Sequence, residues 1–381
     1  MGRRFQRKCK ERRSFRGFLE IFEIQQHPRI NIRCCLDAVD LFSKSNMKRR
    51  IIKILVVVAI LALAAVLVPT ISSHYVITVV NGALVFYVGC LGICVMLGYG
   101  GMVSFATITF MGLGAYMSAN LSLKAGMPFL VCVLGSMIFA GLCALIIGAI
   151  LLRLSGTFFT FSTVALVLIA HDLFTNLRSL TGGPDGMGGI PPFNIGSFVA
   201  DTAADNFYFL FVAGLLAALF VHRLKYTNLG RRLAAVRDNE IAAATMGVDV
   251  YRTKVVAFII AGVLSGLSGS LMVHNYHFVG SSSFVFDQST TMVIMAMLGG
   301  VSHPGGVFLG TMIITMLPEW LKPLQEYIRL FYGLGVMLLM VFMPTGLWGL
   351  GEQLSARFKE RFHLTRKTLI GSDDASSEEM I

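Results

Sequence analysis

Apolar stretches recur along this chain with short polar breaks between them. Ten can be drawn, at residues 51–69, 75–97, 103–121, 128–152, 157–177, 206–225, 254–276, 286–301, 305–321 and 328–346. An α-helix rises about 1.5 Å per residue, so runs of this order cross roughly 30 Å of hydrocarbon. The pattern predicts an all-α, polytopic integral membrane protein of about 10 transmembrane helices. Several segments are interrupted. Residues 98–114 read GYGGMVSFATITFMGLG, with glycines, Ser104, Thr107 and Thr109 inside the apolar run, and residues 298–306 read LGGVSHPGG. Non-helical backbone at membrane depth is tolerated where protein buries it or where it lines a cavity. These Gly-interrupted segments therefore point to a central translocation path, with close helix–helix contact through small residues as the other reading. Ser104, Thr107, Gly299 and Gly300 within these segments, with Thr181, Gly182 and Gly183 of the Gly/Pro-rich stretch 178–205, are the candidate path residues.

Charge fixes the expected sidedness. Lys48, Arg49, Arg50 and Lys53 precede or open the first segment, which places its start in the cytoplasm. Alternate threading then puts residues 178–205, with Arg178 as their one Lys or Arg, outside. It puts residues 222–254, with Arg223, Lys225, Arg231, Arg232, Arg237, Arg252 and Lys254, inside together with the tail after Pro344. Both termini are expected in the cytoplasm and the chain in the inner (plasma) membrane. Residues 1–46 differ: they are basic, with eleven Lys/Arg and five Asp/Glu, and carry no long apolar run. At Met47 the text turns to Met-Lys-Arg-Arg and then to the first span. The expected division is a basic extension over 1–46, disordered or belonging to a mis-assigned start at Met47, a transmembrane domain over 47–350, and a cytoplasmic tail over 351–381.

Composition agrees. Of 381 residues, 55% are hydrophobic and 14% charged, well short of the quarter or so typical of soluble domains. The net charge of +11 sits in the extension and the short loops, so it argues for the lipid bilayer as partner and against nucleic acid. Cys90, Cys94, Cys132 and Cys143 fall inside apolar segments and read as small buried hydrophobes. His171, Asp172, His274, His277 and Asp287 all lie near segment ends, which favours interfacial placement over a proton relay.

The 28 residues 226–253 are the longest basic loop between spans. Asp238 or Asn239 is a suitable N-cap, Glu240 complements the first turn, and Gly247 suits the residue after a helix C-terminus. The intervening EIAAATM predicts a short surface helix whose apolar members are Ile241, Ala244 and Met246. Such a helix cannot span a bilayer; it can offer an apolar knob to a soluble partner or simply lie amphipathically at the surface.

The sequence GRRL at 230–233, followed by AVRDNEIAA at 235–243 and MGV at 246–248, resembles the Glu-Ala-Ala...Gly loop of ABC importer permeases, and in particular that of the branched-chain amino acid permeases of LivM type. The segments LTGG at 180–183, GLSGSL at 266–271 and MLGG at 297–300 are similar to further stretches of that family, over about residues 48–350. VSHP at 301–304 and SFAT at 104–107 depart from its usual residues. The resemblance implies that Arg231, Arg232, Arg237, Asn239, Glu240, Ala243 and Gly247 form an ATPase-docking loop. It implies P-loop ATPase subunits, a second homologous permease subunit and an exported substrate-binding protein as partners, with Leu, Ile or Val as cargo.

The chain contains no G-x-x-x-x-G-K-[ST] run, no H-E-x-x-H and no G-x-S-x-G. No catalytic, metal or cofactor-binding residues are expected on it; ATP and Mg would belong to the partner ATPase. The alternatives are the same architecture carrying urea, short amides or another small amino acid, or a gradient-driven secondary carrier.

Overall fold

The computed structural model describes residues 74–320, apart from 155, 196, 197 and 201, together with the isolated positions 333, 346 and 349. The expected first and tenth spans, the extension 1–46 and the tail 351–381 lie outside the described residues. The other eight apolar segments are all helical. Helix α1 (His74–Ile93) continues into a π-helical stretch, Cys94–Tyr99. After a non-helical stretch come α2 (Thr107–Ala125), α3 (Phe129–Leu151), α4 (Thr157–Asn176), the single turn α5 (Arg178–Thr181) and α6 (Ala203–Leu224). Two surface helices, α7 (Asn228–Asp238) and α8 (Glu240–Thr245), precede the long α9 (Val250–Tyr276). Helices α10 (Phe286–Gly299) and α11 (Pro304–Trp320) form a hairpin. The strands are two-residue pieces: β1 (Met187–Gly188) pairs antiparallel with β4 (Phe278–Val279), and β2 (Asn194–Ile195) with β3 (Phe198–Val199).

Helix limits follow local chemistry. Gly126 ends α2 in the left-handed region at φ 59°. Thr202 caps α6 by accepting from the Asp205 amide, and Asp249 caps α9 by accepting from the Arg252 amide. Among the described residues, five helices are long and apolar enough to cross a membrane: α1 with its π extension, α3, α4, α6 and α9. Their most apolar windows divide into two classes, 89% and 72% buried for α1 and α9 against 28–33% for α3, α4 and α6. Thus α1 and α9 are the inner helices. The outward side of α3 carries Ile138, Ile146 and Ile150, each more than three-fifths exposed, as expected of a face in contact with lipid.

Small residues make the inner helices possible. A Cβ on Gly269 of α9 would stand 2.0 Å from the Met111 carbonyl oxygen of α2. One on Gly266 would stand 2.5 Å from the Ala140 Cβ of α3. The backbones touch, and dispersion between them replaces the hydrophobic drive that is missing in lipid. Ser268 adds a hydrogen bond to the Val85 carbonyl of α1 at 2.7 Å.

The bundle has two unlike ends. At one, residues 182–195 and 198–200 belong to a strap that covers α3, α6 and α9. Phe193, fully buried, stacks on Phe209 at 5.5 Å and meets Phe129 edge-on at 5.1 Å. Beneath it His274 is 1% exposed, its Nδ1 2.8 Å from the Pro191 carbonyl and its Nε2 3.1 Å from the Ser118 hydroxyl. His274 lies in the last turn of α9, near the segment end, and the strap supplies the polar partner that lets the ring be buried there. His277, in the left-handed region at φ 56°, turns the chain out of α9 and holds the Ile190 carbonyl through Nδ1 at 3.0 Å. The opposite end carries α7 and α8.

From Phe278 the chain re-enters the bundle without forming a regular helix other than one 3-10 turn, Ser281–Ser283. Phe284, 1% exposed, lies 5.8 Å from the ring of Tyr116, at the midpoint of α2, and 5.8 Å from that of Phe174 on α4. The 14-residue α10 then extends only about 21 Å. An apolar groove of about 860 Å³ runs between α3, α6 and α9. Its lining, including Phe129, Val133, Leu216, Ile260 and Leu267, offers no charged group to a polar solute.

Candidate partner-docking face and translocation path

The stretch between α6 and α9 holds two helices, one more than its sequence predicts. Thr227 caps α7 by accepting from the Gly230 amide at 3.3 Å, and Leu233 and Val236 turn inward, 0% and 1% exposed. Gly230 permits the sharp turn from α6: a Cβ there would stand 2.3 Å from the Leu224 carbonyl oxygen. Asn239, one of the two expected caps, starts α8 by accepting from the amides of Ile241 and Ala242, both at 3.0 Å. Helix α8 ends in a Schellman arrangement: the Gly247 amide bonds the Ala244 carbonyl and the Val248 amide the Ala243 carbonyl, both at 3.0 Å, with Gly247 at φ 81°. Ala243 is buried against the protein. Glu240 is tied to Lys254 of α9 at 2.6 Å. What remains outward is apolar: Ile241 is 79% and Met246 84% exposed. Arg231 and Arg232 lie exposed on α7, Arg231 bonded to Asn228.

Arg237 does something different. Its guanidinium donates to the carbonyl of Gly98, at the end of the π-helical stretch. Gly98 in turn abuts the second broken segment, since a Cβ on it would stand 2.0 Å from the Val301 carbonyl oxygen. That oxygen also accepts from the Cys94 thiol at 2.9 Å. The α7–α8 unit, the end of α1 and the turn between α10 and α11 therefore meet at one seam.

The path residues fall into three places. Ser104 and Thr107, both 4% exposed, flank the start of α2. Ser104 accepts from the Ala106 amide at 3.2 Å. The neighbouring backbone is held by α4, where Thr163 accepts from the Phe105 amide and Thr160 donates to the Val103 carbonyl, and by Ser289 of α10, which donates to the Phe105 carbonyl. Gly299 and Gly300 lie in the α10–α11 hairpin; a Cβ on Gly299 would stand 2.1 Å from the Gly306 carbonyl oxygen, so its smallness serves close contact there. Thr181, Gly182 and Gly183 form the turn beyond the far end of α4. The Thr181 hydroxyl donates to the Phe174 and Leu177 carbonyls and accepts from the Gly183 amide. Thr163 and Asn176 are separated by about 20 Å along α4, so this turn is remote from Ser104. Sequence reasoning passed over Tyr116 and Asn120; their spacing of seven and eleven residues from Thr109, which puts all three on one face of α2, was the available signal.

Long apolar helices, glycine-broken segments and a basic helix pair at one end define a multi-pass membrane permease. Residues 75–344 match the family described as branched-chain amino acid transport system / permease component, and the chain belongs to it. It is 29% identical over 316 residues to the high-affinity branched-chain amino acid transport system permease protein LivM of Escherichia coli, covering 77% of this chain and 74% of the relative. The corresponding protein of Salmonella typhimurium is 28% identical over 310 residues, or 75% and 73% of the two chains. A shorter region of 118 residues is 32% identical to the ribose import permease protein RbsC of Bacillus subtilis, covering 30% of this chain and 36% of that one. No solved structure matches.

Proposed function

We propose that the chain is the permease subunit of an ATP-binding-cassette importer that brings leucine, isoleucine and valine into the cell, with ATP and Mg held by separate P-loop subunits. The observation that carries this reading is α8. It is capped at both ends, fixed to α9 through Glu240, and offers Ile241 and Met246 outward where no lipid-spanning role is open to it. An ATPase cleft gripping that knob would move α7, and Arg237 would pass the motion to the seam at Gly98. Arg231, Arg232, Asn239, Ala243 and Gly247 complete the docking unit. On this reading the α7–α8 end and both termini face the cytoplasm across the inner membrane. The strap receives amino acid from an exported binding protein, and a second homologous permease subunit completes the complex. Ser104, Thr107, Thr181, Gly182, Gly183, Gly299 and Gly300 are the proposed path residues, the last five acting through backbone shape.

Gly247→Arg, or deletion of residues 239–246, is expected to abolish ATP-dependent uptake of radiolabelled leucine while leaving the chain in the membrane at its normal level. Unimpaired uptake by either variant would show a carrier that needs no ATPase.

A further inference from the structure

Helix α2 carries polar atoms that the protein does not satisfy. The Thr109 hydroxyl, the Tyr116 hydroxyl and the Asn120 side-chain oxygen are each buried with no hydrogen-bond partner among the described residues. Thr109 and Tyr116 are 2% and 5% exposed. Positions 109, 116 and 120 are separated by seven and four residues, so they share one face of the helix. That face points at α4 and at the re-entrant chain. Phe174 and Phe284 both lie on Gly112, between Thr109 and Tyr116, and both rings touch Tyr116. Near the start of α2, Phe105 meets Phe286 at 5.6 Å. On α4, one turn before Phe174, Nδ1 of His171 is also buried and unpartnered.

Unpaired polar atoms inside a protein are destabilising, and each calls for a physical reason. Helix α2 had cheaper residues available: Val, Phe and Leu match these side chains in bulk without the polar atom. Backbone without α-helix borders both stretches, at 101–106 and at 278–285, where β4 and the 3-10 turn Ser281–Ser283 are the regular pieces.

We propose that Thr109, Tyr116 and Asn120 line the solute path, and that they are seen here in its closed form with Phe174 and Phe284 as the rings that seal it. The inference rests on the permease reading above and adds where the solute passes. The residues are uncharged donors and acceptors framed by aromatic rings, which suits a small zwitterion with an apolar side chain. Asn120 stands one turn from Tyr116, so the ammonium would be taken by the Asn120 oxygen and the carboxylate by the Tyr116 hydroxyl, while Thr109, about 10 Å further along α2, would meet the solute at a separate point of the path. Access requires α4 and the chain over 278–285 to move away from α2.

The test uses cells expressing the full chain with the other subunits of its transporter, supplied with radiolabelled leucine. The paired variant Thr109→Val, Tyr116→Phe is expected to lower uptake about tenfold or more. Its membrane level should stay normal, and the thermal stability of the purified chain should be equal to or above wild type, because unpaired buried hydroxyls have been removed. Restoring Thr109 as Ser should recover part of the uptake. Uptake within about twofold of wild type, at normal levels, would overturn the proposal. A second arm does not depend on which solute is carried. Thr109→Cys should react with a water-soluble methanethiosulfonate during ATP turnover and not at rest, the modified position being located by mass spectrometry. Absence of modification during turnover overturns the path. Failure of the wild type to take up leucine, isoleucine or valine, with Thr109→Cys still modified, removes the amino-acid reading alone.

Discussion

Single residues decide whether the α7–α8 unit is firm. Asn239 alone provides the side-chain oxygen that accepts from the two amides beginning α8, a helix too short to hold itself together by propagation. Asn239→Ala is expected to cost about 1 kcal/mol of local stability, seen as roughly fivefold faster hydrogen exchange at Ile241 and Ala242, with Asn239→Ser close to wild type. Unchanged exchange would show that the cap is dispensable. Arg237 is the other decisive residue. Arg237→Met keeps much of the bulk against Gly101 and removes the bond to the Gly98 carbonyl. The expected outcome is a normally folded chain whose partner ATPase still binds and whose uptake falls about tenfold. Equal losses of binding and uptake would place Arg237 in the docking contact instead.

At the scale of elements, α9 is held by its glycines. Gly269→Val would drive two methyl groups into the α2 backbone at Met111, an overpacking cost of about 1–3 kcal/mol, and is expected to lower the midpoint of thermal unfolding in detergent by several degrees. The same change at Gly126, with nothing within 4 Å but with φ 59°, separates backbone strain from crowding. Apolar runs of span length made the eight described spans legible in the sequence, and Asn239 and Gly247 placed the ends of α8. Helix α7 was not foreseen, because a run of Arg and Ala reads as a solvated loop. Its signals were the Thr227 cap and the inward Leu233 and Val236, three residues apart. The re-entrant chain was illegible for a different reason. Three serines in a row at 281–283 look like an external turn, and what draws them inward is the Phe284 ring seated between α2 and α4, a tertiary contact. His274 follows the same rule, its burial resting on the Pro191 carbonyl 83 positions away.

For the molecule as a whole, the arrangement separates duties. The exposed apolar faces of α3, α4 and α6 suit lipid, solute meets α2 on the proposal above, and a motor would meet the α7–α8 unit. Replacing Ile241 and Met246 together by Ser removes an exposed apolar pair without touching Ala243, the caps or the Glu240–Lys254 ion pair. Co-purification of the ATPase subunits is then expected to drop about tenfold, with the permease itself as heat-stable as before. Undiminished co-purification would assign the contact to Arg231 and Arg232.

The seam at Gly98 has an evolutionary consequence. One partner contributes the lack of a side chain, the other only a carbonyl, so the two positions are under unlike constraint. A saturation library should return glycine alone at codon 98, while codon 301, whose side chain is not used in the joint, should accept several apolar residues. A lineage that needs a slower or faster transporter can therefore adjust position 301 freely but can never revise position 98.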